Sequence, residues 1–159
     1  MSRIWIAVKA LAVMSAFVWL WGWVALGIDR RYGGLVLPEW TSGFGVVLGG
    51  IGFTLALACV ATFVLRGRGT AAPFDPPKVF VAVGPYRYVR NPMYIGAWVV
   101  LIGFGLYRRS LAIVVFSALW LLLAHLFVIG YEEPALRRKF GAAYEGYCRA
   151  VPRWVPGTQ

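Results

Sequence analysis

Apolar positions in this chain come in long unbroken runs, with the charged residues gathered in the gaps between them. The first run is Ala10–Ile28, preceded by Arg3 and Lys9 and closed by Asp29-Arg30-Arg31. The second, Gly43–Leu65, carries no charge. Met93–Tyr107 and Leu111–Tyr131 follow, separated only by Arg108-Arg109-Ser110. A helix needs about 20 apolar residues to cross a hydrocarbon core of about 30 Å. The pattern therefore predicts an all-α integral membrane protein with about four transmembrane helices, near 10–28, 43–65, 93–107 and 111–131. The last two form a hairpin. The third is short, about 22 Å at 1.5 Å per residue.

A cleavable signal peptide is the alternative for the first run. Its core would be about 7–15 residues long and would end at a small-residue cleavage site. This run is longer, contains Trp19, Trp21 and Trp23, and ends in charge, so a retained helix is expected. In the second run, Gly45 and Gly49 form a GxxxG pair with Gly52 near the same face. That pattern suits close helix packing. It does not fit a dinucleotide-binding loop, since no strand precedes it.

After Tyr131 the pattern changes to helical spacing. Leu136, Phe140, Ala143, Tyr144, Tyr147 and Val151 recur on one face, with Arg137, Arg138, Lys139, Glu145 and Arg149 on others. A C-terminal amphipathic helix lying in the membrane interface is expected. Gly141 weakens it modestly, Pro152 and Pro156 end it, and Trp154 is a candidate interfacial anchor. The segment 66–92 is the longest polar connection and holds Pro73, Pro76, Pro77, Pro85 and Pro92, which exclude a long helix.

Composition agrees with a single membrane domain over 1–159. Hydrophobic residues make up 60% and charged residues 14%, against about 25% charged in soluble domains. The net charge of +10 would suggest nucleic acid in a soluble protein. Here the basic residues border the apolar runs, so membrane lipid is the expected partner and nucleic acid is not. With four crossings, 12 of the 16 Lys and Arg fall on the side of the N-terminus, the 66–92 loop and the tail. The positive-inside rule places that side in the cytoplasm, with both termini, and a bacterial inner membrane is the expected location. Cys59 and Cys148 have no metal-ligand or CxxC spacing and His125 is the sole histidine, so no metal site is expected.

Candidate chemistry lies at the open end of the hairpin. There the segment Gly84-Pro85-Tyr86-Arg87-Tyr88-Val89-Arg90-Asn91-Pro92-Met93-Tyr94 enters the third helix, and Glu132-Glu133-Pro134 leaves the fourth. Asn91-Pro92 also reads as a helix start, with Asn91 as N-cap. Tyr86, Tyr88 and Tyr94 can form an interfacial belt, with Arg87 and Arg90 on lipid phosphate. The two carboxylates stand where the helix dipole disfavours them. They either pair with Arg87 or Arg90 or bind a cationic or polyhydroxylated ligand. The residues alone leave both readings open.

The string GPYRYVRNPMYIG, then EEP after the hairpin, then FGAAYEGYCRAVPRWVP, resembles the isoprenylcysteine carboxyl methyltransferase family and its bacterial relatives. It is also similar to phospholipid methyltransferases. The likeness covers about half the chain, from Lys78 to Pro156. It implies an S-adenosyl-L-methionine-dependent methyltransferase acting on a lipophilic small-molecule or lipid acceptor, an isoprenylcysteine-type carboxylate. A phospholipid amine or a small thiol is the alternative acceptor, and a non-catalytic lipid-binding membrane protein is the alternative of another class. The cofactor-binding elements would lie in 78–96 and 131–156 on the cytosolic side. By position, the resemblance carries cofactor binding to Lys78, Val79, Phe80, Val81, Gly84, Tyr86, Asn91, Pro92, Met93, Tyr94 and Glu132. Arg90 and Glu133 become the candidate catalytic residues. Where eukaryotic members have histidine, this chain has Asn91, which cannot titrate near neutral pH. Few acid–base side chains are expected, because methyl transfer depends on alignment and exclusion of water.

Overall fold

A computed structural model describes residues 3–67 and 81–157 of the chain. Four apolar helices run in sequence: α1 (Arg3–Tyr32), α2 (Thr41–Thr62), α3 (Pro92–Tyr107) and α4 (Leu111–Phe127), followed by α5 (Glu133–Phe140) and α6 (Ala142–Ala150). Among the described residues there is no strand beyond one isolated bridge between Val36 and Ser110. The chain is an integral membrane protein: among the described residues three helical stretches are long and apolar enough to span, Ile4–Tyr32, Thr41–Arg66 and Leu111–Phe140, with α3 a shorter apolar helix. Their outward faces carry exposed Trp19, Trp23, Val46, Ile51, Leu119 and Leu122, as side chains facing lipid do.

The closest packing joins α2 to α3, and it is made of glycine. A Cβ on Gly52 would stand 2.7 Å from both the Gly96 carbonyl oxygen and the Val100 nitrogen. One on Gly103 would stand 2.6 Å from the Gly49 nitrogen, and one on Gly45 would meet the backbone at Gly103 and Tyr107. The backbones thus touch directly, which is the source of packing energy that remains between helices already surrounded by apolar lipid. Of the expected GxxxG pair, Gly45 makes the contact through its own Cβ position. Gly49 has open space there and lends its backbone to Gly103.

The hairpin of α3 and α4 is closed by Arg109, in the left-handed region at φ 58°, and by Ser110, whose hydroxyl accepts from the Ile113 N–H at 3.3 Å. Arg108 and Arg109 hold neighbouring segments. Arg108 meets Asp29 at 3.2 Å, and Arg109 donates to the Leu37 carbonyl at 2.9 Å and meets Glu39 at 3.3 Å. The turns at this end of the bundle are therefore tied to one another.

Three expectations about element ends are corrected. The first helix occupies 3–32 instead of 10–28, because nothing before Gly33 breaks it and its charged ends can reach polar surroundings. The fourth does not stop at Tyr131. A π-helical turn, Val128–Glu132, carries it directly into α5, with Pro134 in the first turn where no N–H is required. The tail is two helices instead of one, broken at Gly141 (φ 51°, ψ −129°), a conformation open only to glycine.

Candidate functional site

The site is built where α3 begins and α4 ends. A 3₁₀ turn, Gly84–Arg87, leads toward it, and α3 starts with Pro92 in its first turn. Gly84 has φ 62°, and a Cβ there would stand 2.7 Å from Thr62 Oγ1. Glycine is thus required by both dihedral angle and space. Tyr86 turns inward: it is buried, its ring meets Phe63 edge-on at 5.1 Å, and it packs with Cys59 and Val81, with Met93 alongside. Burial pushes its phenol well above the ordinary range, so it stays neutral.

Asn91 occupies the N-cap position of α3 but makes no side-chain cap bond. Its Nδ2 instead donates to the Arg153 carbonyl at 3.3 Å, while its own carbonyl accepts from the Ile95 N–H at 3.2 Å. The capping expectation is corrected by a tertiary contact: the C-terminal segment comes back over the start of α3. Three further bonds fix it there. The Arg90 N–H donates to the Pro152 carbonyl at 2.8 Å, the Tyr147 hydroxyl to the Tyr86 carbonyl at 2.6 Å, and the Trp154 indole to His125 Nδ1 at 3.0 Å. Trp154, expected as a membrane anchor, is thereby hydrogen-bonded to α4.

The two adjacent carboxylates have different surroundings. Glu133 is 3% exposed and meets Arg90 at 3.0 Å, Arg153 at 2.7 and 3.0 Å, and Arg137 at 3.7 Å. Its hydrogen bond in turn raises the Arg153 guanidinium above its ordinary value. A carboxylate this thoroughly paired is a hub that positions three guanidinium groups. Glu132 is half-buried and accepts one bond, from the Tyr94 hydroxyl at 2.9 Å. Among the described residues it meets no cation. Arg90 shows the converse. Its Nη1 meets Glu133 and Cys148 Sγ, both at 3.0 Å, while its Nε–H is buried without an acceptor among the described residues.

The sequence-predicted residues thus separate into groups. Tyr94 and Glu132 meet directly. Arg90 and Glu133 pair beside them. Val81, Gly84, Tyr86 and Met93 pack toward α2, and Pro92 is fully buried at the helix start. Lys78, Val79 and Phe80 lie outside the described residues.

Residues 40–143 match the phospholipid methyltransferase family. The chain belongs to that family. Over 76 residues it is 32% identical to the nickel-cobalt-cadmium resistance protein NccN of Alcaligenes xylosoxydans xylosoxydans, a stretch that is 48% of this chain and 35% of that protein. Its fold is similar to that of the eukaryotic intramembrane Ras methyltransferase, isoprenylcysteine carboxyl methyltransferase. The TM-score is 0.57 at 21% identity, over 91% of this chain and 52% of the other. The chain spans about a third of the curated relative and about half of the solved one. At that identity the structural likeness concerns the fold.

Arg153, Tyr147 and Trp154 are the participants that sequence reasoning missed. Their segment was read as an interfacial helix end, and nothing in its spacing signals a return to Glu133 and His125. The Glu133–Arg137 spacing of four residues was the one local signal of the hub.

Proposed function

We propose that this protein is an S-adenosyl-L-methionine-dependent methyltransferase of the membrane, acting on a lipophilic acceptor of the isoprenylcysteine carboxylate kind. In this reading α3, packed between α2 and α4, completes four crossings, and α5 and α6 lie along the cytosolic interface. The observation that carries it is the contrast at the open end of the hairpin. Among the described residues Glu132 is a half-buried carboxylate without a cation, beside an Arg90 whose Nε–H is a buried donor without an acceptor. An amino-acid headgroup, with its ammonium and carboxylate, complements that pair, so the residues fit the cofactor. S-adenosylmethionine would supply an electrophilic methyl group on a sulfonium.

The chain's own residues then have separable tasks. Glu132 binds the ammonium or the ribose hydroxyls, and the Tyr94 phenol holds its carboxylate in place. Arg90 binds a carboxylate, either of the cofactor or of the acceptor, in an orientation set by Glu133. Glu133 is a positioning residue in this assignment, because its own oxygens are engaged by guanidinium groups. No side chain needs to take a proton from a carboxylate acceptor, which arrives ionised. The apolar bundle excludes water and aligns the two reactants.

Native membranes containing the protein, given methyl-labelled S-adenosylmethionine, test this against membranes carrying Glu132→Gln. Label is followed into lipid, protein and volatile fractions, and S-adenosylhomocysteine affinity is measured on the purified protein. The expected result is label in one fraction, lost in the variant, with affinity lowered at least tenfold. Absence of both label and cofactor binding would make the protein a non-catalytic member of its family.

A further inference from the structure

Below the Tyr94–Glu132 contact an aromatic column runs through the bundle. Tyr94 lies 6.4 Å from Trp120, Trp120 meets Trp21 edge-on at 6.0 Å, and Trp21 lies 6.1 Å from Phe116. Phe116 in turn lines an apolar groove of about 390 Å³ between α1 and α4, with Ile28, Tyr32, Leu111 and Leu119. One continuous apolar seam therefore leads from the far end of the bundle to the candidate site.

Two polar atoms in this seam lack partners. Among the described residues the indole N–H groups of Trp21 on α1 and Trp98 on α3 are buried without an acceptor. Both rings pack on the same cluster of Leu101, Ile113 and Trp120. An indole N–H only donates, and a buried one ordinarily finds an acceptor. The buried Ser117 hydroxyl on α4 donates to the Val114 carbonyl at 2.6 Å. Trp98 lies one helical turn deeper than Tyr94, so these donors sit on the membrane side of Glu132. A bilayer interior supplies no water to satisfy them.

We infer that the seam between α1 and α4 binds a long-chain lipid whose hydrogen-bond-accepting oxygen is received by the indole N–H groups of Trp21 and Trp98. Its hydrocarbon chain occupies the groove at Phe116. A donor-only pair selects a carboxylate or an ester carbonyl, and it rejects an ammonium, which brings donors alone. That the lipid is the methyl acceptor rests on the function proposed above; the binding site itself does not.

Two pairs of probes test it on the purified full chain in detergent. Palmitate against hexadecylamine reads a carboxylate, and monopalmitoylglycerol against its hexadecyl ether reads a carbonyl without a charge difference. At least one pair is expected to show a tenfold preference for the accepting oxygen, reduced below threefold in Trp21→Phe/Trp98→Phe. Phenylalanine keeps the apolar ring and removes the donor. The pair that responds identifies the oxygen. Should the double variant lose its helical circular dichroism, each single variant is read in the same way. No preference in either pair, or a preference unchanged by the substitutions, overturns the inference. S-adenosylhomocysteine affinity is measured in parallel. Its absence with the lipid preference intact removes the methyltransferase reading and leaves this site standing.

Discussion

The Arg153 guanidinium meets the Glu133 carboxylate through two hydrogen bonds, Nε at 2.7 Å and Nη2 at 3.0 Å, across 20 residues of chain. The same carboxylate holds Arg90, 43 residues earlier. One acidic side chain thus joins the entrance of α3, the exit of α4 and the C-terminal segment. Removing its charge would leave the half-buried Arg90 and Arg153 guanidinium groups facing a buried neutral amide. Glu133→Gln is therefore expected to destabilise the protein by about 3 kcal/mol, read as a lowered thermal midpoint in detergent. Glu132→Gln should leave that midpoint nearly unchanged, because Glu132 carries one phenol bond and no ion pair among the described residues.

The Trp154 indole donates to His125 Nδ1, so the imidazole proton sits on Nε2. Trp154→Phe should cost about 1 kcal/mol and free the ring to change tautomer. Nitrogen chemical shifts of His125 in labelled protein would show Nδ1 unprotonated in the native chain and a tautomer mixture in the variant. A mixture already present in the native chain would refute the contact.

Gly103 and Gly50 make a matched comparison. A Cβ at Gly103 would press on the Gly49 backbone nitrogen and Cα, at 2.6 and 2.9 Å, while one at Gly50 meets nothing within 4 Å. Gly103→Ala should destabilise by about 1–3 kcal/mol through overpacking of backbone. Gly50→Ala should be neutral or stabilising by up to about 1 kcal/mol, from helix propensity. Equal effects on the thermal midpoints would contradict the α2–α3 contact.

Gly141 joins α5 to α6 with a conformation closed to other residues. Gly141→Ala should cost about 1–3 kcal/mol, although no neighbour lies within 4 Å of its Cβ position. If strain is the cause, Gly141→Asn should cost as much as Gly141→Ala, since φ 51° with ψ −129° lies outside the αL region that asparagine tolerates. An asparagine variant close to the native midpoint would contradict this backbone conformation.

Much of the fold was legible because a bilayer makes the rules strict. An unbroken apolar run of about 20 residues has few destinations besides a spanning helix. The runs 43–65, 93–107 and 111–131 therefore anticipated the cores of α2, α3 and α4. Glycine spacing in the second run anticipated close packing for the same reason. Helix ends were less legible. Gly141 was read as a modest weakening, since local propensity says nothing of its φ, and the π-helical turn at Val128–Glu132 leaves no pattern in apolar residues.

The sequence by itself determined the membrane class, the apolar segments and the clustering of Arg90, Asn91, Tyr94, Glu132 and Glu133 at one end of a hairpin. Those follow from hydropathy and chain connectivity, which are properties of neighbours along the chain. Only the tertiary structure decided that Glu132 and Glu133, adjacent and chemically identical, differ so sharply. Glu133 is buried among three arginines, while Glu132 accepts a single phenol bond among the described residues. The physical reason is that successive residues on a helix point about 100° apart. The return of Arg153 over the start of α3 then adds a third guanidinium to those of Arg90 and Arg137 on Glu133 and leaves Glu132 to the Tyr94 phenol.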